Sequence, residues 1–159
     1  MIMENIDELV ELDRLNMTPF IEQAGGTFDP ELRREKLLLE MEKGSIVFSV
    51  QRSGKTIAYF EYRPEPNDVW NIMSIQIHPS YRNGFVLRDL LSEARERLQT
   101  HAPSAIRSSV HFTNQASLRL HRKLGFVKIE QKEDRILFVT DGKTLSERLA
   151  RFKKRETDS

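Results

Sequence analysis

Two side chains have the type and the setting to move protons. Glu61 sits in Thr56-Ile57-Ala58-Tyr59-Phe60-Glu61-Tyr62, a mostly apolar run in which a carboxylate can accept a proton directly or through water. If that run is a strand, Phe60 and Tyr62 face away from Glu61. His121 sits in the segment 114–126, where Ser117, Leu120, His121 and Leu124 recur at i, i+3, i+4 and i+7 and therefore share one helix face. An imidazolium with a reference pKa of ~6.5 can give up a proton near neutral pH. Each has a plainer reading: Glu61 as a solvated strand residue, His121 as a partly buried helix histidine with no chemical role.

Other chemistries find less support. The chain has no cysteine, which removes disulfides, thiolate nucleophiles and Cys-ligated zinc together. His78, His101, His111 and His121 show no close metal-ligand spacing, so no metal is expected. Ser53-Gly54-Lys55-Thr56 resembles the tail of a Walker A loop, but Ser49 stands where that pattern needs glycine and a strand follows, so a hairpin turn is expected. No Gly-x-Ser-x-Gly elbow is present.

The elements that must hold these residues alternate between two periods. Residues 4–24 and 29–43 read as helices, the first with Ile6, Leu9, Val10, Leu12, Leu15 and Met17 along one stripe and Asp7, Glu8, Glu11 and Asp13 on the other side. Asp29-Pro30 supplies a cap and a proline at the first position of the second. Strands follow at 46–50, 56–62 and 69–78, with 63–68 as a loop. A helix at 86–99, a strand at 106–112, a helix at 114–124, strands at 126–131 and 135–140, and a helix at 143–153 complete the order. Gly125 fits the position just past the end of the 114–124 helix, with Phe126 packing back. The strand–helix–strand unit over 69–112 requires a parallel, right-handed crossover. The expected architecture is one α/β (α+β) domain over 1–153, followed by a polar tail at 154–159.

Two segments resemble the GCN5-related N-acetyltransferases (GNAT). Residues 114–126 are similar to that family's Asn-x-x-Ala-x-x-x-Tyr-x-x-x-Gly-Phe segment, with His121 at the Tyr position. Ile75-Gln76-Ile77-His78-Pro79-Ser80-Tyr81-Arg82 resembles its apolar-x-Val-x-Pro-x-x-Arg strand end. The resemblance implies a mixed, mostly antiparallel central sheet with a splayed parallel strand pair and helices on both faces. It implies acetyl-CoA as cosubstrate, with the pantetheine arm on the backbone near Ile75 and Ile77 and the diphosphate on the loop Arg82, Asn83, Gly84, Phe85, Val86 and Leu87. Asn114 matches the Asn that contacts the pantetheine region in the family, while a helix cap is its plainer role. His121 would protonate the departing thiolate in place of Tyr, and Glu61 is the candidate general base. Phe85 and Leu87 fill the glycine positions of the family loop, with Gly84 one residue out of step. A positive φ at either would cost on the order of 1–2 kcal/mol.

The expected activity is transfer of acetyl from acetyl-CoA to a primary amine, on a small molecule or peptide, by direct attack. The alternative is a GNAT-fold binding or regulatory module with an impaired coenzyme site. The chain has 159 residues and a net charge of +1, so no global field draws nucleic acid or anionic membrane, and neither is an expected partner. The basic cluster Arg148 to Arg155 is most simply a solvated helix end. No apolar run approaches the ~18 residues of a membrane span, and no signal-peptide pattern opens the chain, which points to the cytoplasm. The family's first strand has no counterpart here, so an unpaired sheet edge is expected, which invites a homodimer.

Overall fold

The computed structural model describes residues 6–82 and 84–157, with the backbone alone for 152–157. Helices α1 (Ile6–Gln23) and α2 (Pro30–Glu42) come first, followed by strands β1 (Ile46–Arg52), β2 (Lys55–Glu65) and β3 (Val69–Ile77). A one-turn 3-10 helix at Pro79–Tyr81 leads to α3 (Phe85–Thr100), then β4 (Ala105–His111), α4 (Gln115–Lys123), β5 (Val127–Lys132), β6 (Arg135–Thr140) and α5 (Gly142–Thr157). The strand order is β1-β2-β3-β4-β6-β5. The pairs β1–β2, β4–β6 and β5–β6 are antiparallel and β3–β4 is parallel, a mixed α/β fold with helices on both sides.

The chain divides into two compact units: residues up to Tyr62 with Ser74–Leu90, and Arg63–Met73 with residues from Leu91 on. In the first, α1 and α2 bury Ile6, Leu9, Val10, Leu12 and Leu37 with Val47 and Tyr59. Asp29 caps α2, its side chain accepting from the N–H groups of Glu31 and Leu32 at 3.1 and 3.2 Å. β1 and β2 pair from Ile46↔Tyr62 to Arg52↔Lys55. Phe48 stacks on Phe60 with ring centroids 4.9 Å apart, and Tyr62 meets both edge-on. These rings occupy one face of β2, so Tyr59 and Glu61 take the other. Ser53 and Gly54 both adopt positive φ, 52° and 78°. That is the geometry of a tight two-residue hairpin, and the Walker-like segment is therefore a turn.

In the second unit, β4 alternates with Ile106, Ser108 and Val110 buried. It pairs with β6 from Ile106↔Thr140 to His111↔Arg135. The parallel ladder runs from Val69↔Ala105 to Ile72↔Ser108. No further β3–β4 pair occurs among the described residues, although β3 continues to Ile77.

Several boundaries differ from those expected. Residues 63–65 of the expected 63–68 loop, with Pro64 among them, continue β2. Pro64 lies beyond Ile46↔Tyr62, where β1 has ended and no β1 ladder bond is lost to its missing N–H. The last helix extends from the expected 143–153 to Gly142–Thr157, taking in most of the expected tail. Residues 4 and 5 of the first expected helix lie outside the described residues. No described helix is long and apolar enough to cross a membrane.

Candidate active site

Glu61 projects from β2 into a closed polar cluster built by α1 and α2. Its side chain is 0% exposed, which removes the solvated-strand reading. Arg33 of α2 is the central cation. Its Nε lies 2.6 Å from Asp13 Oδ2, its Nη1 3.7 Å from Glu40 Oε1 and its Nη2 4.0 Å from Glu61 Oε1. The Tyr59 hydroxyl donates to Asp13 Oδ1 at 2.5 Å and lies 3.2 Å from Ser74 Oγ. One guanidinium cannot neutralise three carboxyl groups in a desolvated space, so part of the cluster must retain a proton. Burial, reinforced by the Glu40 carboxyl beside it, pushes Glu61 up to about 8, against the smaller downward pull of Arg33 and Ser45. Neither Glu61 oxygen meets hydrogen-bond geometry with a described partner. Burial also pushes Asp13 upward, while Asp13 holds Arg33 protonated more firmly than usual. These two trends oppose each other, and the 2.6 Å contact favours the ionised pair.

The end of β3 and the turn after it form a second set in the same unit. Asn16 of α1 donates from Nδ2 to Gln76 Oε1 at 2.8 Å and to the Ile77 carbonyl at 3.0 Å. Its Oδ1 accepts from Arg82 Nη2 at 2.5 Å, and Arg82 Nε reaches the same Ile77 carbonyl at 3.4 Å. Ile75 is half-buried two residues earlier. Gly84 carries φ +93°, and a Cβ built there would meet nothing within 4 Å. Phe85 and Leu87 are helical and absent from the positive-φ residues, so the strain anticipated for them does not arise. The glycine that stands one residue out of step supplies the left-handed turn itself. The Phe85 ring is 56% exposed, with the Arg88 guanidinium 4.8 Å from its centroid, whereas Val86 is buried. The first bond of α3 runs from Arg88 N–H to the Gly84 carbonyl, so Val86 and Leu87 present their N–H groups ahead of it. Asn83 lies outside the described residues.

Asn114 and His121 belong to the other unit. Asn114 caps α4, its Oδ1 accepting from Ser117 N–H at 3.2 Å, so the plainer role is realised. The helix closes through Phe126 N–H to the His121 carbonyl at 2.9 Å and Gly125 N–H to the Arg122 carbonyl at 3.1 Å. With Gly125 at φ +89° this is a Schellman motif, and the Phe126 ring packs 4.9 Å from His121. His121 is 4% exposed, with the Phe138 ring stacked at 5.1 Å. Its Nδ1 lies 2.7 Å from the Ser117 carbonyl, which can only accept, so Nδ1 carries the hydrogen. Nε2, 2.8 Å from Ser108 Oγ, then accepts from that hydroxyl. Burial pulls the imidazole below its usual value, partly opposed by the Ser117 carbonyl.

The acetyltransferase (GNAT) family model matches residues 9–126, well over half of the chain. The protein belongs to the GNAT acetyltransferase family. No curated protein sequence matches it. Among solved structures, the PaiA N-acetyltransferase from Thermoplasma acidophilum in complex with coenzyme A superposes with a TM-score of 0.68 at 18% identity, covering 87% of this chain and 93% of that one. The ribosomal-protein-alanine N-acetyltransferase from Brucella melitensis gives 0.64 at 21%, covering 87% and 94%. Aminoglycoside 6'-acetyltransferase type Ii gives 0.67 at 15%, covering 86% and 89%. At these identities the likeness is one of GNAT fold.

Sequence reasoning missed Asp13, Asn16, Arg33, Glu40 and Tyr59, although part of the signal was present. Asp13 was assigned to the polar side of α1 but falls at i+7 from Ile6, on the buried stripe itself. In α2, Arg33 and Glu40 flank the buried Leu37 at i−4 and i+3. Nothing in the sequence alone pairs Asn16 with Arg82. Among the described residues no His, Cys, Asp or Glu group has the arrangement to hold a metal ion.

Proposed function

We propose that this GNAT protein is an N-acetyltransferase that moves the acetyl group of acetyl-CoA to a primary amine by direct attack. The observation that carries the reading is the start of α3. Gly84 takes the positive φ in open space, so the bulky residues in the family's glycine positions are unstrained helical residues. The N–H groups of Val86 and Leu87, the α3 dipole and Arg82 then suit a diphosphate. The Ile75 backbone and the Ile77 N–H, past the last β3–β4 pair, suit the pantetheine amides and an oxyanion, the Ile77 carbonyl being held by Asn16 and Arg82. When bound, acetyl-CoA would supply an activated thioester, whose C–S bond breaks as the amine's C–N bond forms, the thiolate leaving to take its proton from water. Glu61, raised toward the working pH range, is assigned as the base that takes the amine proton through water. His121 is assigned to the packing of α4, because both ring nitrogens are engaged and the neutral form is favoured. The acceptor is a small-molecule or peptide amine.

The rival reading, a GNAT-fold binding or regulatory module with an impaired coenzyme site and no catalysis, draws on the burial of Glu61 and His121. Release of free coenzyme thiol from acetyl-CoA, followed against N-terminal peptides, polyamines and aminoglycosides, separates the two. Amine-dependent release with at least one class supports the enzyme; no amine-dependent release in any class favours the module.

A further inference from the structure

Asn16 is the side chain whose contacts no family motif explains. It lies in α1, distant in sequence from the coenzyme motifs, yet three of its hydrogen bonds end on them. Nδ2 serves both Gln76 Oε1 and the Ile77 carbonyl, and Oδ1 receives Arg82 Nη2. Arg82 Nε returns to the Ile77 carbonyl, which closes a ring of Asn16, Arg82 and Ile77. Gln76 Nε2 continues the chain to Ser74 Oγ at 3.3 Å, and Ser74 contacts Tyr59, which bonds Asp13. A polar thread therefore runs from the buried carboxylate cluster to the arginine two residues before Gly84.

An exposed arginine normally samples many rotamers, and ordering it on a ligand costs affinity. Here two of the five N–H donors of Arg82 are committed to Asn16 and Ile77, and its remaining donors keep a fixed direction. We propose that Asn16 is a positioning residue that holds Arg82 in the orientation required to bind the diphosphate of acetyl-CoA. Asn16 itself touches no phosphate. It acts by restricting Arg82. The inference rests on the acetyl-CoA reading above.

The test is a double-mutant cycle read by calorimetric Kd. Asn16→Ala, Arg82→Gln and the double variant are titrated with acetyl-CoA and with S-acetyl-pantetheine, which lacks the diphosphate. Each single variant is expected to weaken acetyl-CoA roughly three- to ten-fold, the cost of ordering one long side chain. The double variant should be no weaker than Arg82→Gln alone, and S-acetyl-pantetheine should bind all four proteins alike. S-acetyl-pantetheine binding at the parent Kd, with Tm measured for each variant, guards against loss of folding. Additive losses, equal losses with both ligands, or a lowered Tm with unchanged Kd would each overturn the role. Failure of the unaltered protein to bind acetyl-CoA would instead defeat the underlying reading.

Discussion

At the scale of single residues, the two proton-moving candidates separate by their surroundings. Glu61 is a buried carboxyl facing Glu40, Arg33 and Ser45, and its proton affinity is raised by burial and by Glu40. A carboxyl raised in the folded state binds protons that the unfolded chain has released. Stability therefore falls as pH rises from the ordinary glutamate range toward about 8. Glu61→Gln mimics the protonated form, so its Tm advantage over the parent should grow between pH 5 and pH 8. In the same variant, the rise of kcat/KM toward pH 8 should be lost. A Tm difference independent of pH would show that Glu61 ionises normally. His121 has the opposite sign. Its pKa is depressed in the fold, so the stability it contributes is present above the usual histidine range and is lost as pH falls below it. His121→Phe leaves the buried Ser108 hydroxyl without its partner and should cost on the order of 1–3 kcal/mol in denaturant unfolding. Its kcat should remain within a few-fold of the parent. A hundred-fold loss of kcat at unchanged stability would make His121 the acid after all.

At the scale of elements, glycine geometry decides where substitution is tolerated. Gly84 and Gly125 have nearly the same φ, +93° and +89°, but different surroundings. A Cβ at Gly125 would sit 3.0 Å from Thr144 Cγ2 and 3.3 Å from Arg148 Cγ, whereas at Gly84 it meets open space. Gly84→Ala should cost about 1–2 kcal/mol from backbone strain alone, and Gly125→Ala should cost more than that by urea denaturation. Equal costs would mean that α5 yields freely around Gly125. The elements themselves were largely legible, because hydrophobic period and turn chemistry agree. Asp29-Pro30 starts α2, Gly125-Phe126 closes α4, and Ser53-Gly54 turns β1 into β2. The continuation of β2 through Pro64 was not legible, since whether a missing N–H matters depends on where the neighbouring strand stops. The loop into α3 follows a related logic. Phe85 and Leu87 stand at the family's glycine positions, and the positive φ falls at Gly84 instead.

At the scale of the whole molecule, family and fold could be read from two short segments, whereas the polar interior could not. Asp13, Arg33, Glu40, Tyr59 and Glu61 come from two helices and a strand, and only their meeting in space makes one titrating cluster. Asn16 and Arg82 are likewise joined only by the fold. The central claim is that the loop opened by Gly84 binds the coenzyme despite Phe85 and Leu87. Calorimetric titration of the purified protein with acetyl-CoA tests it most directly. The predicted result is a saturable isotherm with one site per chain, accompanied by a stability gain of about 2.7 kcal/mol when ligand stands at 100 times Kd. Absence of both heat and thermal shift at millimolar acetyl-CoA would contradict it.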